Sequence, residues 1–362
     1  MSTVMSDGER QFEQELLIEK MANLFMFDKL SEKLPGRDIY PPYLFLGFFL
    51  FVGIGVVGGY EHFFTEYSYS NPFVIAGPVA LLIAIIGIRY ISRAYSNVLE
   101  SLPVDKNTNT EPLNEIISIR TKVIVYVIAI LTVYATILLI GISNIIENAS
   151  PVGNASPAQF IINYLIVWEI GYIPFAVEFG LIYLGIHFFI PRRIKKADLN
   201  LFYYDPRNMG GFGSVGQLLK RSYYLYTAGL LLFFVLVYGG FIIPTIEPAF
   251  SLGMIPFLFF SGAWLLGVIS IGYSMLTMHR IMSKKKEERI REIEDEIREI
   301  IDNPHDINSS EVTDKEQFED LNRRLEHIKD TREYPATFTM WSQIAISVLL
   351  PQVLQVVVQV TL

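Results

Sequence analysis

The sequence predicts an all-α membrane protein with seven transmembrane helices. Hydrophobic residues make up 51% of the 362 residues and charged residues only 18%, whereas soluble domains carry about a quarter charged residues. The charges are also concentrated, because residues 279–333 hold 12 Lys and Arg and 17 Asp and Glu. Most of the remaining chain falls into apolar runs of about 20 residues, the length with which a helix crosses the hydrocarbon core of a bilayer.

Composition also excludes several functional classes. The formal net charge of −8 is the opposite of the basic excess typical of nucleic-acid binding, so no nucleic-acid partner is expected. The chain has no cysteine, which excludes disulfides, zinc–thiolate sites and thiol catalysis. Its five histidines are scattered and form no HExxH or Ser/His/Asp pattern. We therefore predict that the protein is not an enzyme and holds no metal or cofactor.

Seven apolar segments are predicted to span the membrane. The loops after the first, third and fifth segments contain no Lys or Arg, whereas those after the second, fourth and sixth are rich in them. Because Lys and Arg accumulate on the cytosolic side, the N-terminus is expected inside and the C-terminus outside. The segments are Tyr43–Tyr60, Pro72–Ile91, Val123–Ile146, Phe160–Ile190, Tyr224–Ile246, Met254–Met278 and Phe338–Leu362.

These spans divide the chain into four regions. In the first, apolar residues recur at helical spacing with acids between them, which predicts an amphipathic helix on the membrane surface or on the cytosolic domain. Asn148 and Asn154 each begin an Asn-Ala-Ser glycosylation pattern in a loop predicted outside, and the pattern alone leaves their use open. The regions are 1–40 (cytosolic N-terminal helix), 41–278 (six-helix transmembrane domain), 279–335 (charged cytosolic helical hairpin) and 336–362 (seventh transmembrane helix).

The charged region is predicted to fold as an antiparallel helical hairpin. Its first helix continues from span six, and its apolar residues follow the three-four-three spacing of a coiled-coil seam. The second helix opens at Thr313, where Glu316 three residues later completes a capping box. The two seams can pack only on each other or can form a platform for subunit assembly, and the sequence leaves both open. The seam residues are Ile290, Ile293, Ile297, Ile300, Phe318, Leu321, Leu325 and Ile328.

A glycine-rich stretch between spans four and five, residues 210–216, superficially resembles a phosphate-binding loop. It lacks a preceding β-strand pattern and a following Lys-Ser or Lys-Thr pair, so nucleotide binding is not expected. A tight turn, whose glycines allow close packing under the membrane domain, is predicted instead.

Two acidic residues, Glu169 and Glu178, lie within span four on either side of Pro174. An ionisable side chain at membrane depth costs several kcal/mol, so it indicates a function by default. Nine residues apart on a straight helix, the two point to opposite faces, although a kink at the proline changes that angle. A hydrated vestibule or ligand pocket lined by these glutamates and plain structural hydrogen bonds within the bundle both fit the pattern.

The last span carries a stripe of neutral amides. Gln352, Gln355 and Gln359 fall within about 60° of one helical face, and the other faces are mainly Val and Leu. Such a stripe must face a bundle interior or water. Several copies around an axis would give rings of Gln separated by rings of Val, with Val356 a candidate for the narrow point of a hydrophobic gate. Hydrogen bonding between amides in a closed bundle is the alternative.

The order of these features resembles the insect odorant and gustatory receptor channels and their wider superfamily of seven-transmembrane ion channels, which reaches into prokaryotes. The similarity covers an elongated fourth span, a sixth span that continues into cytosolic helices, and a short C-terminal seventh helix. The family's terminal motif is Thr-Tyr, five hydrophobic residues and Gln-Phe. Here Gln359-Val360 stands at the Gln-Phe positions, Gln352-Val353 replaces Thr-Tyr, and Gln355 interrupts the hydrophobic residues.

The resemblance implies that the seventh helices of four subunits line a central cation pore. It also implies that residues 281–335 anchor the tetramer and that the outer half of the bundle binds a small ligand. Carried over to this chain, the pore-lining candidates are Gln352, Gln355, Val356 and Gln359, and the vestibule candidates are Trp168, Glu169, Tyr172 and Glu178.

We therefore expect a homotetrameric cation channel or channel-like protein, ligand-gated or constitutively open, in the plasma membrane of a bacterial or archaeal cell. Its expected partners are membrane lipids, further copies of the chain and a small-molecule ligand. Two alternatives stay open. One is a non-conducting membrane scaffold that binds a partner through the hairpin, and the other is a secondary transporter with Glu178 as its proton site.

Overall fold

The computed structural model describes most of the chain as a bundle of helices with one short antiparallel ribbon. The residues described are 14–34, 39–57, 59, 63, 75–102, 113, 115–140, 161–242, 254–306, 308–309, 311–335, 341–346, 349, 352–353 and 356–357.

Five helices are long and apolar enough to cross a membrane, and they coincide with predicted spans two to six. Of the first predicted span, the described residues form helix α3 (Pro41–Leu50) and a π-helical segment that continues to Val57. The five helices are α4 (Ala76–Ser101), α5 (Ile119–Ile140), a composite helix that contains the span Ile166–Ala197, α8 (Gly213–Ile242) and α9 (Met254–Glu299). This is the architecture of an all-α membrane protein.

The fourth span is the composite helix, and it is as elongated as the sequence predicts. It begins as a π-helix, Ile161–Tyr172, and continues as α6 (Ile173–Leu184), a second π-helical segment (Gly185–Phe189) and α7 (Ile190–Ala197). The candidate span within it, Ile166–Ala197, has 32 residues, or about 48 Å at 1.5 Å per residue. Wider π-helical turns rotate the following side chains relative to a straight α-helix, and such turns are frequent at functional sites.

The N-terminal region differs from the prediction of one surface helix. It forms two short helices, α1 (Leu17–Leu24) and α2 (Phe27–Lys33), which are separated at Met26 by a left-handed backbone conformation with φ of 62°. Leu17, Ile18 and Ala22 are buried, because α1 packs against α3, α5 and α6. One face of α1 is therefore part of the bundle core, while Leu24, Met26 and Leu30 are exposed.

One hydrophobic core joins most of the bundle, from Ile18 in α1 through Ile88 in α4 to Met278 in α9. Helices α4 and α8 pack against each other along their lengths. Helix α5 is the exception, since it is exposed on most sides. Its exposed apolar residues include Ile124, Ile128, Leu131 and Leu138, with exposed fractions between 55% and 80%. In a membrane these side chains contact lipid.

The glycine-rich stretch begins as a tight turn, as predicted, and from Gly213 onward it forms the first turn of α8. Gly210 and Gly211 have φ of 59° and 83°, a left-handed region that glycine adopts without steric cost. The Asp205 carboxylate accepts backbone N–H groups of Arg207, Met209 and Gly211 at 3.0–3.1 Å. Burial alone would raise the pKa of Asp205, but these hydrogen bonds outweigh it and lower the pKa below its ordinary value.

The hairpin forms as predicted, with a different turn and a different cap. Helix α9 runs unbroken for 46 residues to Glu299 and packs against α10 (Lys315–Asp330). Between them, strand β1 (Ile301–Asp302) pairs with strand β2 (Glu311–Val312). The capping residue of α10 is Asp314, which accepts the backbone N–H of Gln317 at 3.0 Å; it is not Thr313, because the helix begins two residues later.

Several contacts join the glycine-rich turn, the hairpin and the last helix. The backbone N–H of Arg332 donates to the carbonyl of Asn208 at 2.7 Å. Lys286 donates to the carbonyls of Lys329 and Thr331 at 2.8 and 2.7 Å, which satisfies orphan carbonyl groups at the end of α10. After this junction, residues 341–346 form helix α11.

Replacing Gly216 by alanine should destabilise this junction. An added Cβ would lie 1.6 Å from the carbonyl oxygen of Pro335, so the backbone of one segment must move. We expect a loss of about 1–3 kcal/mol, as for other overpacked sites, measured as thermal unfolding of the purified protein in detergent. Gly229 is the matched control in the same helix, because nothing lies within 4 Å of its added Cβ; Gly229→Ala should be neutral or stabilising. Equal behaviour of the two variants would contradict the contact.

Candidate functional site

A fully buried ion pair lies where the N-terminal segment enters the bundle. Lys122 Nζ lies 2.8 Å from Glu178 Oε1, and both side chains have no exposed surface. Lys122 is near the beginning of α5 and Glu178 is in the middle of α6. The pair therefore connects the least packed helix of the bundle to the composite fourth span.

The same carboxylate caps helix α1. Glu178 Oε1 accepts the backbone N–H of Leu17 at 2.9 Å, and Oε2 accepts that of Ile18 at 2.8 Å. These are two of the N–H groups that an α-helix leaves without an internal partner, and no side chain within the helix caps them. Lys122 also donates to the carbonyl of Glu15 at 2.8 Å. The partial positive charge at the N-terminus of α1 and the Lys122 cation both stabilise the buried carboxylate.

This geometry favours a structural task for Glu178, one of the predicted vestibule residues. Three donors engage the two carboxylate oxygens, and its surroundings are the protein interior. The Glu178 carboxylate holds the N-terminal segment in place, because it binds backbone amides that lie about 160 residues away in sequence.

Glu169 has different surroundings. Its side chain is buried to 3% exposure and lies in the π-helical segment before α6. One carboxylate oxygen, Oε1, has no hydrogen-bond partner among the described residues, while the side chain is hydrogen-bonded to Tyr134. The Tyr126 hydroxyl donates to the Glu169 backbone carbonyl at 3.0 Å. A shielded oxygen without a donor leaves room for a proton or a bound cation at this position.

The two glutamates face the same neighbouring helix, although a straight helix would point them apart. Glu178 contacts Lys122 and Glu169 contacts Tyr126 and Tyr134, and all three partners lie on α5. Lys122 and Tyr134 are about 18 Å apart along that helix. The acids are therefore separate sites and no carboxylate dyad, as the sequence predicted.

The aromatic vestibule candidates flank Glu169. The rings of Trp168 and Tyr172 are 5.8 Å apart between centroids in an edge-to-face arrangement. Trp168 is about half exposed and Tyr172 is half-buried. Phe49 of α3 approaches closely here, because a Cβ at Gly171 would lie 2.6 Å from the phenylalanine side chain.

A second polar cluster, which the sequence interpretation missed, connects spans four, five and six. His187 lies between the hydroxyls of Ser222 and Ser274, at 3.0 and 3.1 Å from its two ring nitrogens. All three side chains are fully buried. One turn earlier, Tyr183 is hydrogen-bonded to Ser270. The available signal was the pair of serines four residues apart in span six, on the same helical face as each other.

The last helix is seated on the bundle by one face. The Tyr224 hydroxyl of α8 donates to Gln343 Oε1 at 3.1 Å, and Ile344 is buried in the main core. Further along, Gln352 is half-buried, and its Oε1 is shielded without a hydrogen-bond partner among the described residues. Val356 is 47% exposed. The other predicted pore-lining residues, Gln355 and Gln359, lie outside the described residues.

The seam of the hairpin is buried within the chain. Ile293 packs with Leu321, Leu325 and Ile328, all less than 10% exposed. The remaining seam residues, Ile290, Ile297, Ile300 and Phe318, are half-buried. The structure thus shows the two helices packed on each other. Subunit assembly through the hairpin stays a prediction.

Among the described residues, no group of three or more His, Cys, Asp or Glu side chains is placed to hold a metal ion. Comparison of the chain with protein-family models, with curated proteins and with solved structures finds no match.

The buried pair yields a stability prediction. Lys122→Met should destabilise the protein by about 3–5 kcal/mol, because it leaves the Glu178 carboxylate buried without its cation. Adding Glu178→Gln should recover part of that loss, since the double variant holds no unpaired charge. Thermal unfolding of the parent, both single variants and the double variant in one detergent gives the coupling. Additive losses would show that the two side chains do not act as a pair.

Proposed function

We propose that the protein is one subunit of a cation-conducting membrane channel, assembled as a homotetramer around the last helices of four chains. The observation that carries the proposal is the environment of Gln352. A shielded amide oxygen without a donor costs about 1–3 kcal/mol, and no described residue of the same chain supplies one. In the proposed assembly, a rotation of the last helix would uncover this oxygen, and a neighbouring subunit or the water of the pore would then supply the donor.

The orientation of the last helix supports this arrangement. Gln343 and Ile344 contact the bundle. Gln352 lies nine residues after Gln343, which is half a turn around a straight α-helix at 100° per residue. On this geometry Gln352 lies on the side of the helix opposite Gln343, where it is still half-buried by its own chain. Val353, Val356 and Val357 are each about half exposed, as expected for side chains that pack against lipid or other subunits.

In this proposal, seven spans place the N-terminus in the cytosol and the C-terminus outside, in the plasma membrane of a prokaryotic cell. The bundle supplies a site for a small ligand beside Glu169, Trp168 and Tyr172. Its buried carboxylate oxygen suits a cationic or hydrogen-bond-donating ligand.

A second candidate, a non-conducting scaffold, is favoured by the hairpin. Its seam is satisfied within one chain, so the charged outer faces are free to bind a cytosolic partner. The transporter alternative is supported least, because three donors already engage the Glu178 carboxylate.

Cysteine accessibility tests the pore. The chain has no native cysteine, so single cysteines at positions 352, 355 and 359 have no background. If these positions line a water-filled pore, a small charged thiol reagent should modify them and reduce the current of the reconstituted protein. A cysteine at Ile344, which is buried against the bundle, should be protected. Equal protection at all four positions would favour the closed, non-conducting scaffold.

Assembly size is a separate expectation. Light scattering of the purified protein in detergent should give a protein mass close to four copies of 41.3 kDa. Gln352→Leu should lower the fraction of tetramer if the amide bonds across subunits, and should leave it unchanged if the amide contacts only pore water. A strictly monomeric parent protein would contradict the channel proposal, because no ring of glutamines could form.

A further inference from the structure

The basic side chains at one end of the bundle differ from those of the hairpin in their partners. In the hairpin most Lys and Arg side chains pair with a carboxylate, for example Lys284 with Glu288, Arg291 with Glu287 and Arg298 with Asp295. At the end of the bundle, the described basic side chains on the span surfaces form no ion pair within 4 Å with the carboxylate of another described residue. These residues, the basic end of the bundle, are Arg89, Arg93, Arg120, Arg192, Arg193, Lys195, Lys196, Lys220 and Arg221.

Helix α7 presents the densest part of this basic end. Arg192, Lys195 and Lys196 are spaced three and four residues apart, so they share one face of the helix, and all three are exposed. The opposite face, with Ile190 and Ile194, is buried in the main core. The helix is therefore fixed to the protein by its apolar side and offers its charges outward.

The nearest acid in sequence does not neutralise this face. Asp198, directly after α7, forms an ion pair with Lys285 of α9 at 2.7 Å. Arg193, at the edge of this face, donates to the backbone carbonyl of Glu115 and not to the Glu115 carboxylate. Three positive charges on one surface thus lack an anionic partner among the described residues.

Tyrosines mark the level of this face relative to the membrane. The Arg192 Nε donates to the Tyr273 hydroxyl at 2.6 Å, and Arg221 donates to the Tyr90 hydroxyl of α4. Arg89 lies 4.5 Å from the centroid of the Tyr40 ring. Tyr side chains are enriched at the headgroup level of membranes, with their hydroxyls toward water. Helix α7 therefore begins at the headgroup level and continues away from the membrane beside α9.

We infer that the exposed face of α7, formed by Arg192, Lys195 and Lys196, binds the headgroups of anionic phospholipids. Unpaired charge, exposure and position at the headgroup level are the conditions under which basic segments attract anionic lipid. Because Arg192 is hydrogen-bonded to Tyr273 of α9, a headgroup bound to Arg192 would also lie beside α9. This inference is independent of whether the protein conducts ions.

The test uses the full chain in a neutral detergent, titrated with phosphatidylglycerol and with phosphatidylcholine, with bound lipids counted by native mass spectrometry. Each Lys or Arg near an anionic surface contributes about fivefold in affinity. We therefore expect Arg192→Gln, Lys195→Gln and Lys196→Gln together to weaken phosphatidylglycerol binding at least tenfold. Phosphatidylcholine binding should not change.

The matched control removes the same number of charges from the hairpin, with Lys284→Gln, Arg291→Gln and Arg298→Gln, and should keep the affinity of the parent. If the triple variant in α7 does not fold, Lys195→Gln with Lys196→Gln leaves the Arg192–Tyr273 contact intact and should still weaken binding about fivefold or more. Three outcomes would overturn the inference: equal losses in the hairpin control, no preference for phosphatidylglycerol over phosphatidylcholine, or full competition by millimolar inorganic phosphate, which would indicate a soluble anion instead.

Discussion

The architecture at one end of the bundle depends on the Glu178 carboxylate. A buried charge is tolerated only when it is paired and hydrogen-bonded. Here three donors from two helices serve as partners: the ammonium group of Lys122 in α5 and the first two amides of α1. Because α5 is otherwise exposed to lipid over most of its surface, this pair is a main protein contact that sets its position. The N-terminal segment, in turn, needs the carboxylate to satisfy its free amides. Three elements distant in sequence are thus held by one side chain.

Local pattern was sufficient for much of the fold. The length of the apolar runs located spans two to six, and the spacing of the apolar seam located the hairpin. The absence of a β-strand pattern before the glycines excluded a phosphate-binding loop and indicated a turn. It was not sufficient for the insertion of α1, because the cap comes from a residue about 160 positions away and no periodicity encodes it. Lys122 was indistinguishable in sequence from the other basic residues at span ends. The cluster around His187 was missed for the same reason, since its members belong to three different spans.

The polar groups inside the bundle fall into two kinds. Those of Glu178, His187 and Tyr183 are fully engaged with other described residues, and they cross-link neighbouring spans as interhelical hydrogen bonds do in membranes. Those of Glu169 and Gln352, together with Gln14, Asp28 and Ser92, retain a shielded polar atom that has no hydrogen-bond partner among the described residues. Structural polar groups are normally satisfied, so this second kind is where ligands, ions or further subunits are expected to act.

The unbroken α9 has a mechanical consequence. Its 46 residues make a rod of about 69 Å, and no proline or glycine interrupts the part that leaves the bundle. A tilt of about 5° around its far membrane end would displace its other end by about 6 Å at that length. Because α10 packs on the end of this helix, the hairpin would move with it. A small rotation of one transmembrane helix would therefore displace the tip of the hairpin by several ångströms, and a force applied at the tip would act as a torque on the transmembrane helices.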